Sequence, residues 1–260
     1  MYDLAAIFTL LPSFALVLAR ISGMMLGAPV YSSSAVPPQV KVLLTLLLSL
    51  VIFPLVHPGM KGIPDTLLGT VFGMGGELLV GLTIGLAVNM LFVGLQLGAS
   101  MISQQMGLGL ARIFDPMLEE ETDTLSEIYM MFGLALLLVL NGHHLVLDGV
   151  LDSFAVLPPM SLTMRPELLK VLRDLLLASY IMAVKVAVPS MVILFLVSLM
   201  MGFLGKTVPQ INILVVGFPL RVGVGLIAAI LSFTAAAVVF SDAYQQTVDT
   251  VTLMIHSLKT

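Results

Sequence analysis

Residues 94–116 read GLQLGASMISQQMGLGLARIFDP, from Gly94 to Pro116, and they suit neither lipid nor water. Gln96, Gln104 and Gln105 are poor neighbours for hydrocarbon. Gly107 and Gly109 would loosen a helix, each costing roughly 1 kcal/mol relative to alanine. Leu108, Leu110, Ile113 and Phe114 are too apolar for a solvated loop. Such a segment belongs where protein or a lumen surrounds it. The stretch is expected to line or close something.

What precedes it decides the fold. Leu67 to about Ser103 is almost wholly apolar and exceeds the roughly 20 residues that one spanning helix needs. Five further apolar segments cover Leu4–Val30, Val42–Val56, Ile128–Leu147, Leu175–Leu204 and Ile213–Phe240. Proline interrupts the first at Pro12, the fifth at Pro189 and the sixth at Pro219. The 260 residues are 59% hydrophobic and only 10% charged, with mean hydropathy +1.12. Soluble domains carry about 25% charged residues. The chain is therefore an integral membrane protein. The alternating pattern of a barrel strand is missing, which leaves an all-α membrane helical bundle of about six hydrophobic segments, with broken helices and hairpins. No linker divides it, so residues 1–260 are expected to form a single membrane-embedded domain.

Outside these segments the chain turns at Tyr31–Lys41 and His57–Asp65, both rich in proline. Polar connections cover Arg112–Glu127, which holds the acidic cluster, and Asp148–Asp174. Arg165–Asp174 (RPELLKVLRD) reads as a short amphipathic helix with proline in its first turn. Met1 to Ala19 carries Asp3 and no basic region, so the first segment is expected to stay in the mature protein.

Several function classes fall away. There is no cysteine, hence no disulfide, thiolate metal site or cysteine nucleophile. A net charge of −4 with scattered positives gives no surface for nucleic acid. Neither a GxSxG elbow nor a GxxxxGK[ST] loop occurs. His143 and His144 are adjacent and diverge on a helix, while His144 and Asp148 could share a face. A polar helix end breaking at Asn141-Gly142 is the commoner meaning of that pattern. No enzyme, cofactor or metal site is expected.

Two kinds of residue stand out instead. Gly69/Gly73, Gly81/Gly85 and Gly94/Gly98 each place two small residues on one helix face, where backbones can approach closely. Arg20, Glu77, Lys185 and Arg221 are charges in or near apolar segments, where each needs a partner or a wet cavity. Snorkelling or mutual pairing is the ordinary solution. Glu77 alone could serve a proton relay, but the apolar segments offer no second acid.

The chain resembles the FliR/SctT family of type III secretion export-gate proteins almost from end to end. The resemblance rests on RISGMMLGAP (from Arg20), VPPQVK (Val36 to Lys41), ELLVGLTIGL (from Glu77), GASMISQQMGLGLARIFDP, NGHHLVLDGVLDSF and VPQINILVVGFPLRVGVGL. Lys41 stands where arginine is common. Membership implies a non-enzymatic subunit in the bacterial inner membrane, at the flagellar basal body. There one copy would assemble with several copies of FliP and FliQ, beside the switch protein FlhB, into a channel for unfolded export substrates. It also implies hairpins that do not cross the bilayer conventionally. The family's plug falls on Gly98–Pro116, with Gln104, Gln105, Met106, Gly107, Leu108, Ile113 and Phe114 near the constriction. Pro209, Gln210 and Asn212 fall on a turn expected to contact partner subunits. The injectisome branch of the same family and a small-solute transporter are the alternatives.

Overall fold

The computed structural model describes residues 4–29, 36–57, 66–108, 123–160, 166–208, 210 and 212–257. Among these there are seven helices and no strand: α1 (Leu4–Gly27), α2 (Pro38–Val56), α3 (Leu67–Met106), α4 (Thr124–Val139), α5 (Gly142–Val156), α6 (Pro166–Thr207) and α7 (Ile213–Ser257). The protein is an all-α membrane helical bundle. Five helices, α1, α2, α3, α6 and α7, are long and apolar enough to cross a membrane, and α4 and α5 pass the same test only when counted as one broken pair.

Sequence explains most helix ends. Pro38 occupies the first turn of α2, where a missing N–H costs nothing. Helix α3 stops at Gly107, whose φ of 86° is the left-handed conformation glycine accepts freely; its N–H bonds the Gln104 carbonyl at 3.0 Å. Asp123 caps α4 by accepting from Leu125 N, and Glu127 adds a negative charge to that positive helix end.

Three helices are far longer than one membrane crossing needs. α3 runs unbroken for 40 residues, α6 for 42 and α7 for 45. At 1.5 Å per residue each is about 60 Å or more, roughly twice the hydrocarbon thickness of a bilayer. α6 absorbs the amphipathic Arg165–Asp174 segment from Pro166 onward and continues through Pro189. The segment Ile128–Leu147 is instead broken in two. Asn141 adopts φ 56°, left-handed, and α5 begins at the next residue.

The chain folds as two compact units. The first takes Met1–Met90, Asn141–Leu175 and Gln245–Thr260; the second takes Leu91–Leu140 and Leu176–Tyr244. In the first, α1 lies against α3 with Leu16, Val17, Ile21, Met24, Val80 and Ile84 buried. α2 buries only Ser49 and Ile52, and Phe53 meets the edge of Phe14 in α1 at 5.6 Å. Most of its leucines face outward.

In the second unit the core gathers Phe92, Leu95, Ile102, Met106, Tyr129, Leu137, Met182 and Phe240. Tyr129 stacks on Phe233, and its hydroxyl hydrogen-bonds Ser232 and donates to the Ala229 carbonyl at 3.1 Å. That bond matters because a buried phenol without a partner costs about 1–3 kcal/mol.

Candidate functional site

Helix packing in the first unit is set by glycines on both partners. A methyl group on Gly81 would collide with the Arg20 carbonyl, and one on Gly85 would lie 2.8 Å from the Gly27 Cα. From the other side, Gly23 abuts Leu78 and Leu82, and Gly27 abuts Gly85 and Leu86. α1 and α3 thus touch backbone to backbone, as small residues at four-residue spacing allow. Gly73 faces only side chains, those of Leu16 and Met160, and Gly69 is half-buried.

In the second unit α3 uses its next glycine pair against α6. Gly94 would place a methyl 2.7 Å from the Ser179 carbonyl oxygen, and Gly98 one 2.8 Å from that of Ala183. One long helix therefore carries two successive close-packing faces.

The α1–α3 contact brings two charges together. Arg20 donates from Nε to Glu77 Oε2 at 2.6 Å, and its Nη2 lies 2.5 Å from the same oxygen. Nη1 donates to Ser153 Oγ at 3.1 Å and Nη2 to the Leu157 carbonyl at 3.0 Å. The guanidinium also lies 4.1 Å from the centroid of the Phe154 ring. Glu77 Oε1 accepts from the Met160 backbone N–H at 2.9 Å. Both side chains are 1% exposed. Each charge is paired and hydrogen-bonded, which is the condition for a buried ion pair to be tolerated. The clamp joins α1, α3, α5 and the turn at Met160, itself at φ 69°. With both carboxylate oxygens bonded, Glu77 acts as a fixed acceptor.

The other intramembrane charges behave differently. Lys185 is exposed, on the α6 face that also exposes Ile181, Val184, Val188 and Val192. Its position in an apolar segment does not say which way the helix faces. Arg221 is half-buried.

The described part of residues 94–116 ends at Leu108. Ile102 and Met106 are fully buried, and Gly225 in α7 makes room for the Met106 side chain. Gln105 and Gly107 are half-buried, while Gln104 and Leu108 are exposed. Gly109, Leu110, Ile113 and Phe114 lie outside the described residues. So does Pro209; Gln210 and Asn212 are exposed.

Sequence reasoning missed how this stretch is held. Ser103 Oγ donates to Asp123 Oδ1 at 2.7 Å. Ser126 Oγ contacts Asp123 Oδ2 at 2.9 Å and the Gln96 carbonyl at 3.1 Å. Gln96 Nε2 reaches Met130 Sδ at 2.8 Å. Two residues 20 positions apart in sequence are thus stapled side by side. Asp123 just ahead of an apolar run was the available signal, since aspartate is a favoured N-cap.

His143 and His144 have rings 4.1 Å apart, and among the described residues no three His, Asp or Glu side chains gather.

Comparison with known proteins gives a consistent result. The profile of the family described as "Bacterial export proteins, family 1" matches residues 11–247. A flagellar biosynthetic protein FliR from Bacillus subtilis is 29% identical, over 94% of this chain and 95% of its own. The FliR of Caulobacter vibrioides is 28% identical over 90% and 94%, and that of Escherichia coli K12 27% over 84% of each.

Proposed function

Because the chain belongs to the family of bacterial export proteins, family 1, we propose that it is a structural subunit of the flagellar type III protein export gate. It forms part of the channel through which unfolded flagellar proteins leave, and residues 1–260 act there as one membrane-embedded, non-enzymatic domain. Support for the flagellar branch over the injectisome comes from the names of the relatives, which match over most of their length. FliP, FliQ and FlhB are its partners, in the bacterial inner membrane at the basal body.

The observation that carries the plug assignment is the staple between Ser103 and Asp123. It fixes both ends of the interval that contains Gln104, Gln105, Met106, Gly107, Leu108, Ile113 and Phe114. A stopper needs rigid anchors, and the staple supplies them at the two described ends. Gly94 and Gly98 pack the same stretch of α3 closely against α6. The turn that holds Pro209, exposed Gln210 and Asn212 is the expected contact with partner subunits.

The test is genetic. Removing the chain from its host should leave cells without flagella and with no flagellar subunits in the medium, and a plasmid copy should restore both. A deletion strain that still swims would overturn the assignment.

A further inference from the structure

Helices α3 and α6 run parallel where they meet in the second unit. Gly94 faces Ser179 and Gly98 faces Ala183, so four residues along α3 match four along α6. The same register, carried two turns further, brings Gln105 level with Ser190. From the Gly98–Ala183 contact each lies about two full turns on, rotated by only about 20°, so both stay on the faces that pack.

Ser190 is 0% exposed, and its Oγ has no hydrogen-bond partner. Other serines of α6 behave differently: Ser179 donates to the Leu176 carbonyl at 3.0 Å and Ser198 to that of Leu194 at 2.9 Å. The Ser190 hydroxyl thus bears a desolvation cost that nothing in this arrangement offsets. Half-buried Gln105 makes no side-chain hydrogen bond among the described residues either. Pro189, just ahead of Ser190, has no N–H for the Lys185 carbonyl, so α6 bends more easily at this level.

The end of α3 meets three neighbours. Ser103 ties it to α4 through Asp123, and Met106 fills the space that Gly225 leaves in α7. The polar contact to α6 is the one not made.

We propose that Gln105 and Ser190 form the latch of a second state, in which the Ser190 hydroxyl donates to the Gln105 amide oxygen and holds the end of α3 to α6. A contact made in one state and not in the other shifts the balance between them. Gln105 lies at the start of the proposed plug, so the latched state is the open channel and the unlatched state the closed one. This assignment rests on the plug reading.

The experiment uses the assembled complex in native membranes. The chain has no cysteine, so Gln105→Cys with Ser190→Cys gives a clean pair for oxidation by copper phenanthroline. An export substrate fused to a domain that resists unfolding is then lodged in the channel. Disulfide yield should rise about threefold with that substrate in place, and Gln105→Cys with Val197→Cys, two turns further along α6, should give none. Ser190→Ala and Gln105→Met should each lower export about threefold, and the two together no further. Ser190→Ala should nevertheless unfold at the same temperature or higher, because it removes an unpaired buried hydroxyl; a merely structural serine would not separate the two readouts. Should the double-cysteine chain fail to accumulate, the single and double export measurements decide alone. Disulfide yield indifferent to the lodged substrate, additive losses, or full export by Ser190→Ala would overturn the latch. Deleting Gln105–Leu110 separates the two readings: a leak beside any of those results overturns the latch alone, and a tight membrane overturns the plug and the latch with it.

Discussion

Arg20 in α1 and Glu77 in α3 form an ion pair shielded from solvent, with Nη2 2.5 Å from Oε2 and each side chain 1% exposed. The pair is 57 residues apart in sequence and joins two helices whose backbones meet at Gly23, Gly27, Gly81 and Gly85. Ser153, the Leu157 carbonyl and the Met160 N–H complete its hydrogen bonds.

Breaking this pair from one side leaves an uncompensated buried charge. Arg20→Met or Glu77→Leu alone should destabilise the chain by about 3–5 kcal/mol, whereas the double substitution should recover most of that loss. Thermal unfolding in detergent, with the amount of chain accumulating in membranes, would measure it. Single variants as stable as the unaltered protein would show that the clamp contributes little.

Glycine positions should separate cleanly by what lies opposite them. Gly81→Ala drives a methyl into the Arg20 carbonyl and should lower thermal stability and membrane accumulation. Gly202→Ala in α6 meets nothing within 4 Å and should be neutral or stabilising by up to about 1 kcal/mol through helix propensity. Equal effects at the two sites would mean that backbone contact between α1 and α3 is not what Gly81 provides.

The staple at the base of the 104–122 interval gives a third expectation. Ser103→Ala removes one hydrogen bond to a carboxylate, a loss of about 1.5–3 kcal/mol. Asp123→Ala also removes the α4 cap and the Ser126 contact, so it should cost more. Both variants should assemble and raise passive ion leakage across the membrane, Asp123→Ala the more. Tight membranes in both would separate the staple from closure.

The membrane class and helical bundle were legible because the composition leaves no other solution for the backbone in lipid. Arg20 and Glu77 were marked by their cost in apolar segments. Their pairing was not, because the groups that complete it, Ser153, Leu157 and Met160, come from a region that reads as polar connection. That region hides α5, since Asn141-Gly142 signals the end of a helix and carries no sign that another starts at once. Lys185 shows the reverse limit. Its depth in the segment was plain, but which face of α6 it occupies depends on packing. The glycines of α3 were visible, but their matching partners Gly23 and Gly27 in α1 required the three-dimensional contact.

If the stretch after α3 closes a channel, its removal opens one. Deleting Gln105–Leu110 in cells that carry the assembled apparatus should leave assembly intact and make the membrane leak small ions, read as loss of potential or as ion uptake. Phe114→Ala, which removes bulk and keeps backbone, should give a milder leak. A normally assembled complex with a tight membrane after the deletion would contradict the account.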